Sequence, residues 1–171
     1  MDDALSGGID GLALRAPKHQ VSSRAVWYWT VRAAPSWVVL LAAEVGLYLI
    51  VRAQLTWFVA GFAVTVLIAV AHLLVMPRWR YAVHRWEATP DAVYTQTGWF
   101  DQERRIAPAS RVQTVDSERG PIERFFGLSN VTVTTASAAG PIRIHGLDHA
   151  LAQQLVNDLT TSASHAQGDA T

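Results

Sequence analysis

Residues 55–76 read LTWFVAGFAVTVLIAVAHLLVM, twenty-two residues without an acidic, lysine or arginine side chain, and the run closes at Pro77-Arg78. A helix of that length is about 33 Å long, enough to cross a hydrocarbon core of about 30 Å. Lipid offers an unpaired backbone N–H or C=O no water, so such a span must be helical.

The preceding residues supply the other arm of a hairpin. Residues 33–51 are a second apolar run between Arg32 and Arg52, interrupted by Glu44. A carboxylate at mid-membrane costs about 2.5–3.5 kcal/mol on the insertion scale, and the neighbouring Trp, Val, Leu and Ile side chains offset much of it. The loop Arg52-Ala53-Gln54 is short, which makes the spans antiparallel neighbours. Counting back from it, Glu44 lies level with residues 61–65. Small residues recur at Gly61, Thr65 and Ala69, and at Ala42 and Gly46, and let two helices approach closely. Glu44 is therefore expected to face the second span or a partner helix, with Thr65 as the nearby polar group. Basic residues flank the hairpin at Lys18, Arg24 and Arg32 and again at Arg78, Arg80 and Arg85, against Arg52 in the loop. By the positive-inside rule this is a multi-pass protein of the cell membrane with both termini cytoplasmic.

Upstream, residues 1–22 carry Gly7-Gly8, Gly11 and Pro17 with no sustained hydrophobic period, and read as a disordered tail. The first long apolar run begins too late, after acidic residues, for a secretory signal. No Lys-Ser/Thr follows the early glycines, so they form no phosphate loop. Residues 23–35, with Trp27, Tyr28 and Trp29 between Arg24 and Arg32, read as an interfacial amphipathic segment. The hairpin then occupies 36–77.

From Trp79 the period changes to two. Residues 79–86, 92–99, 103–106, 111–116, 130–136 and 142–145 read as short strands separated by turn signals, with a hairpin connection at 137–141. Leu147, Leu151, Leu155 and Leu159 then recur every four residues behind Asp148, a candidate N-cap. The fold class is α+β: a transmembrane hairpin, then a small antiparallel barrel or sandwich over 78–161 closed by a C-terminal helix. Residues 162–171 read as a second disordered tail.

Composition narrows function. There is no cysteine, so no disulfide and no thiolate metal site. Formal net charge is zero, which argues against nucleic acid. His145 and His149 have metal-like spacing but no supporting Cys or His-Glu-x-x-His pattern, and the Ser/Thr run 132–137 lacks a nucleophile elbow. No enzyme, metal or cofactor is expected. Gly120-Pro121 sets a turn into Ile122, Phe125 and Phe126, whose spacing lets one helical turn bury them together and leaves Arg119, Glu123 and Arg124 outward. This corner is either a docking loop for protein or lipid headgroups, or a structural end-plug. Arg104, Arg105 and Arg111 form a candidate basic patch on adjacent strands.

The run Arg111-Val112-Gln113-Thr114-Val115, the stretch Gly120-Pro121-Ile122-Glu123-Arg124-Phe125-Phe126-Gly127-Leu128, the strand Val131-Thr132-Val133-Thr134-Thr135-Ala136-Ser137 and the closing Ile144-His145-Gly146-Leu147 resemble the bacterial membrane-flanked, pleckstrin-homology-like (YdbS-like) family. The resemblance spans about residues 23–160. It implies a PH-like fold of about seven strands with a C-terminal helix, and work beside a larger, related membrane protein carrying several copies of the PH domain; a homo-oligomer is the other partner expected. No activity comes with it. The expectation is thus a membrane-anchored scaffold. Its rivals are a transport or envelope-stress component using Glu44, and an anionic-lipid sensor.

Overall fold

The computed structural model describes residues 16–51, 54–98, 101–137 and 140–168, with side chains described up to residue 162. The first fifteen residues of the expected tail, Arg52 and Ala53 of the hairpin loop, and Trp99 and Phe100 lie outside the described residues, as do Ala138 and Ala139 and the last three residues.

Two helices dominate the N-terminal half, α1 over Arg24–Val51 and α2 over Leu55–Val83. Both are long and apolar enough to cross a membrane. Their apolar side chains point outward: Leu49, Ile50, Trp57 and Leu67 are all exposed, as lipid-facing residues must be. Between the helices Tyr48 stacks on Phe58 at 4.2 Å, Ala69 is buried, and the Trp37 indole donates to His72 Nδ1 at 3.1 Å.

Each helix runs further into the domain than its apolar stretch. Residues 79–83, expected as strand, are the last turns of α2. Pro77 removes one amide donor from the helix, the partner of the Leu73 carbonyl, yet does not end it. The Pro77 ring is fully buried, and the Arg78 guanidinium donates to the Leu74 carbonyl at 2.7 Å. Packing of the ring outweighs one missing bond. At the other end, α1 begins inside the domain: Ala25, Tyr28 and Trp29 are buried in its core. The aromatic cluster expected at headgroup depth is therefore divided, since Trp27 alone of the three rings is exposed.

Among the described residues seven strands form two antiparallel sheets. The first holds β1 (His19–Gln20), β2 (Arg85–Ala88), β3 (Ala92–Thr97) and β4 (Glu103–Pro108), in that order. β1 comes from the stretch expected as tail; it pairs His19 with Trp86, Val21 beyond it is buried, and Lys18 reaches Glu87. A short turn over Ala109–Arg111 leads to the second sheet of β5 (Val112–Glu118), β6 (Leu128–Thr135) and β7 (Ile142–Asp148). Between β5 and β6 lies a six-residue helix, α3, over Pro121–Phe126. The C-terminal helix α4 covers His149–Gly168, so it continues past Ser162, where a loose tail was expected. Leu147 belongs to β7 rather than to this helix, and Asp148 Oδ1 accepts from the Ala150 amide at 3.1 Å.

The core lies where α4 covers the second sheet. Leu128, Val131, Val133, Ile144 and Leu147 are fully or almost fully buried, beneath Ala152, Leu155 and Leu159. Each such side chain contributes about 1.5–3 kcal/mol.

Candidate functional site

α3 is built as a cap-to-cap turn. Pro121 fills its first position, where a missing N–H costs nothing. Gly127 ends it at φ 69°, a left-handed conformation natural to glycine, and donates its amide to the Arg124 carbonyl. Between these fixed ends the helix sits in a phase opposite to the expected one. Glu123 is turned inward and is 8% exposed, while Phe125 is 84% exposed. Phe126 is half-buried against the core and holds Phe125 edge-on at 5.1 Å. Ile122 and Arg124 also face out. Of the apolar trio, only Phe126 acts as an end-plug.

Glu123 is turned inward by its partners. The Tyr28 hydroxyl donates to Glu123 Oε1 at 2.8 Å, Asn130 Nδ2 donates to the same oxygen at 3.3 Å, and Arg32 Nη1 donates to the Tyr28 hydroxyl at 2.7 Å. Burial pushes the Glu123 carboxyl up, but these bonds and a backbone amide outweigh it and hold the group below the usual carboxylate range. The chain thus ties the juxtamembrane turns of α1 to α3. Asn130 Oδ1 also accepts from the Gly146 amide at 3.1 Å. Gly146 has φ 77°, and a Cβ there would lie 2.8 Å from Ala25 Cβ, so β7 approaches α1 at a distance only glycine allows.

The other expected residues scatter. Arg119 Nε donates to the Leu128 carbonyl at 3.0 Å, a structural tie across the α3 loop. Arg104 and Arg105 are successive residues on β4, so they point to opposite faces. Arg105 bonds Glu103 at 2.6 Å and the Pro141 carbonyl at 3.2 Å. Arg111 lies on the turn that leaves β4. These three do not make one patch. His149 Nδ1 meets the buried Ser129 hydroxyl at 2.9 Å, and no cluster of three or more metal-ligating side chains occurs among the described residues. In the hairpin, Thr65 donates to Glu44 Oε1 at 2.7 Å, and Glu44 Oε2 is buried without a hydrogen-bond partner among the described residues.

The family model described as Bacterial PH domain matches residues 25–162. The chain belongs to the bacterial PH domain family. The match takes in the hairpin as well as the sheets, so the membrane helices are part of the family's unit. A transmembrane protein of Bacillus subtilis (strain 168), YdbS, is 28% identical over 134 residues, covering 74% of this chain and 81% of that relative. No solved structure matches the chain. The bacterial PH domain here is membrane-associated, and its seven strands and C-terminal helix follow the pattern the resemblance implied. The joint of four residues escaped the sequence: Tyr28 and Arg32 looked interfacial, Glu123 looked solvated, and Asn130 carried no motif.

Proposed function

We propose that this bacterial PH domain protein is a binding subunit of a membrane assembly, and that it docks a related PH-domain membrane protein or a second copy of itself through α3. The observation that carries the proposal is the outward face of that helix. Among the described residues Phe125 is the most exposed large hydrophobic side chain of the domain, with Ile122 beside it, on a turn pinned by Glu123 to α1. A large exposed apolar group on a rigid mount is what a docking hot spot needs. Arg124, exposed and adjacent in the chain, adds a positive charge to that turn. We read both termini as cytoplasmic, on the excess of basic residues flanking the hairpin outside its loop.

The test is photo-crosslinking in intact membranes from positions 124 and 125, with the captured partner sequenced. The expected product is a PH-domain membrane protein or a homodimer, absent in Phe125→Ser. Capture of lipid alone, with the chain monomeric in mild detergent, would overturn the assembly reading. A second reading rests on the unpartnered Glu44 Oε2: a proton-coupled role, in which Glu44→Gln abolishes function while insertion and assembly persist. Under the assembly reading Glu44→Gln is silent, because an amide oxygen still accepts from Thr65.

A further inference from the structure

β7 alternates strictly at its start. Ile142 and Ile144 are buried in the core, while Arg143 and His145 turn toward a cleft of about 550 Å³. Glu103 and Arg105 of β4 line the facing wall, and Arg80 and His84, where α2 ends, close it. The volume suits a small ligand or headgroup.

Charge in this cleft is unbalanced. Three guanidinium groups meet one carboxylate, and that carboxylate is engaged by Arg105. Neither Arg80 nor Arg143 has a carboxylate partner among the described residues. Arg80 is instead held by a ring, lying 4.8 Å over Trp29, which orders the cation without neutralising it. His84 Nδ1 lies 2.8 Å from the Arg80 carbonyl, so this nitrogen carries the proton; Arg80 Nε then donates to Nε2 at 3.4 Å. That is a neutral imidazole. Burial, and then the Arg80 charge, push the His84 pKa down to about 4. His145 is also lowered, by burial first and then by Arg80 and Arg143. Both rings thus lie close to the cleft's guanidinium groups, which outnumber its one carboxylate.

Height matters as well. Arg80 lies four residues beyond Met76, the last residue of the apolar run, about 6 Å along the helix axis. The headgroup layer on one side of a bilayer is roughly 5–8 Å deep.

We propose that this cleft binds a phosphate-bearing anion, with Arg80, Arg105 and Arg143 as its cationic contacts and the rings of His84 and His145 beside it. Guanidinium forks match phosphate oxygens in geometry as well as charge. The anion replaces the missing counter-charge at the place where the membrane helix becomes the domain. Its two sources, a lipid phosphodiester or free phosphate, share this chemistry.

The experiment follows the His84 and His145 ring resonances of the full chain in dodecyl maltoside micelles, which carry no phosphate. Inorganic phosphate is titrated while ionic strength is held constant with chloride. A saturable shift of both rings is expected. Arg143→Gln, at an exposed position, should weaken it by about tenfold or more, the loss of one charge-assisted contact. Arg105→Gln should act likewise, while Arg104→Gln, on the opposite face of β4, should leave it unchanged. Repeating the spectra in phosphatidylglycerol nanodiscs separates the sources. Shifted rings without added phosphate identify a lipid headgroup, and a response to inorganic phosphate alone identifies a soluble anion. No saturable shift in either arm, an equal response to chloride, or full binding by Arg143→Gln would overturn the proposal.

Discussion

Tyr28→Phe tests whether α1 is keyed into the domain or merely decorated with interfacial aromatics. The substitution keeps the buried ring and deletes one oxygen. That oxygen donates to Glu123 at 2.8 Å and accepts from Arg32 at 2.7 Å. Arg32 is exposed and can be rehydrated, so its loss costs little. Glu123 is buried, and a hydrogen bond to a buried charge is worth about 1.5–3 kcal/mol. After the change Asn130, at a longer 3.3 Å, remains its one side-chain donor among the described residues. We expect a loss of about 2 kcal/mol in denaturant unfolding of the full chain in micelles, read by tryptophan fluorescence. In a Glu123→Gln background the same substitution should cost less than about 1 kcal/mol, because a neutral amide loses less. The pH dependence has a definite sign. Glu123 sits below its ordinary value of 4.5, so its contribution is complete above that pH and disappears as pH falls through the folded value. Tyr28→Phe should flatten that acid limb. A cost below about 0.5 kcal/mol in both backgrounds would refute the joint, since an interfacial tyrosine tolerates loss of its hydroxyl.

Four further outcomes follow from the same geometry. Gly146→Ala forces a side chain into φ 77° and sets its Cβ 2.8 Å from that of Ala25; a loss of about 2–4 kcal/mol in the same unfolding assay is expected, partly restored by Ala25→Gly. Leu147→Ala, at a fully buried position, should cost about 2–5 kcal/mol by that measurement. His84 has its pKa lowered from 6.5 to about 4, so the unfolded chain binds its proton first and stability falls as pH drops from 6.5 toward 4, by up to roughly 3 kcal/mol; a pH series comparing His84→Gln with the parent should show the shallower slope in the variant. Phe125→Ser, at a side chain 84% exposed, should change stability by less than about 0.5 kcal/mol while removing the crosslinked partner.

What could be read from the chain depended on how local its cause was. The two apolar runs, the antiparallel hairpin and most strands are set by period and by turn residues a few positions away, and they stand where the sequence put them. Pro77 was misread because a proline usually marks the end of a helix; its buried ring is a tertiary fact. Tyr28 and Trp29 have the composition of an interfacial belt, and only the sheet packed over them distinguishes that from a core. Glu123 is the sharpest case. The spacing of Ile122, Phe125 and Phe126 suggested one buried face, but Glu123 takes the inward position, and its donor is Tyr28, ninety-five residues earlier. Arg104 and Arg105 were separable in principle, since adjacent strand residues face opposite ways. Gathering Arg105 with Arg80 and Arg143 required knowing that β4 faces β7 near the end of α2.

Two attachments set the mechanical character of this protein. α2 is continuous from the second span to Val83, and β2 begins at Arg85, so no loop intervenes on that side. α1 enters the domain core at Ala25 and Trp29 and is continuous through Val51. A domain held by one such helix could swing about it. Held by two, with the first helix locked by the Tyr28–Glu123 bond and the Gly146 contact, it cannot rotate without breaking buried interactions worth several kcal/mol. Phe125 is therefore held at a fixed height above the hairpin, and so is the cleft around Arg80. An occupant of either proposed site would meet the helix pair in one orientation. A force applied at α3 passes through Glu123 to Tyr28, and so into the helix that carries Glu44.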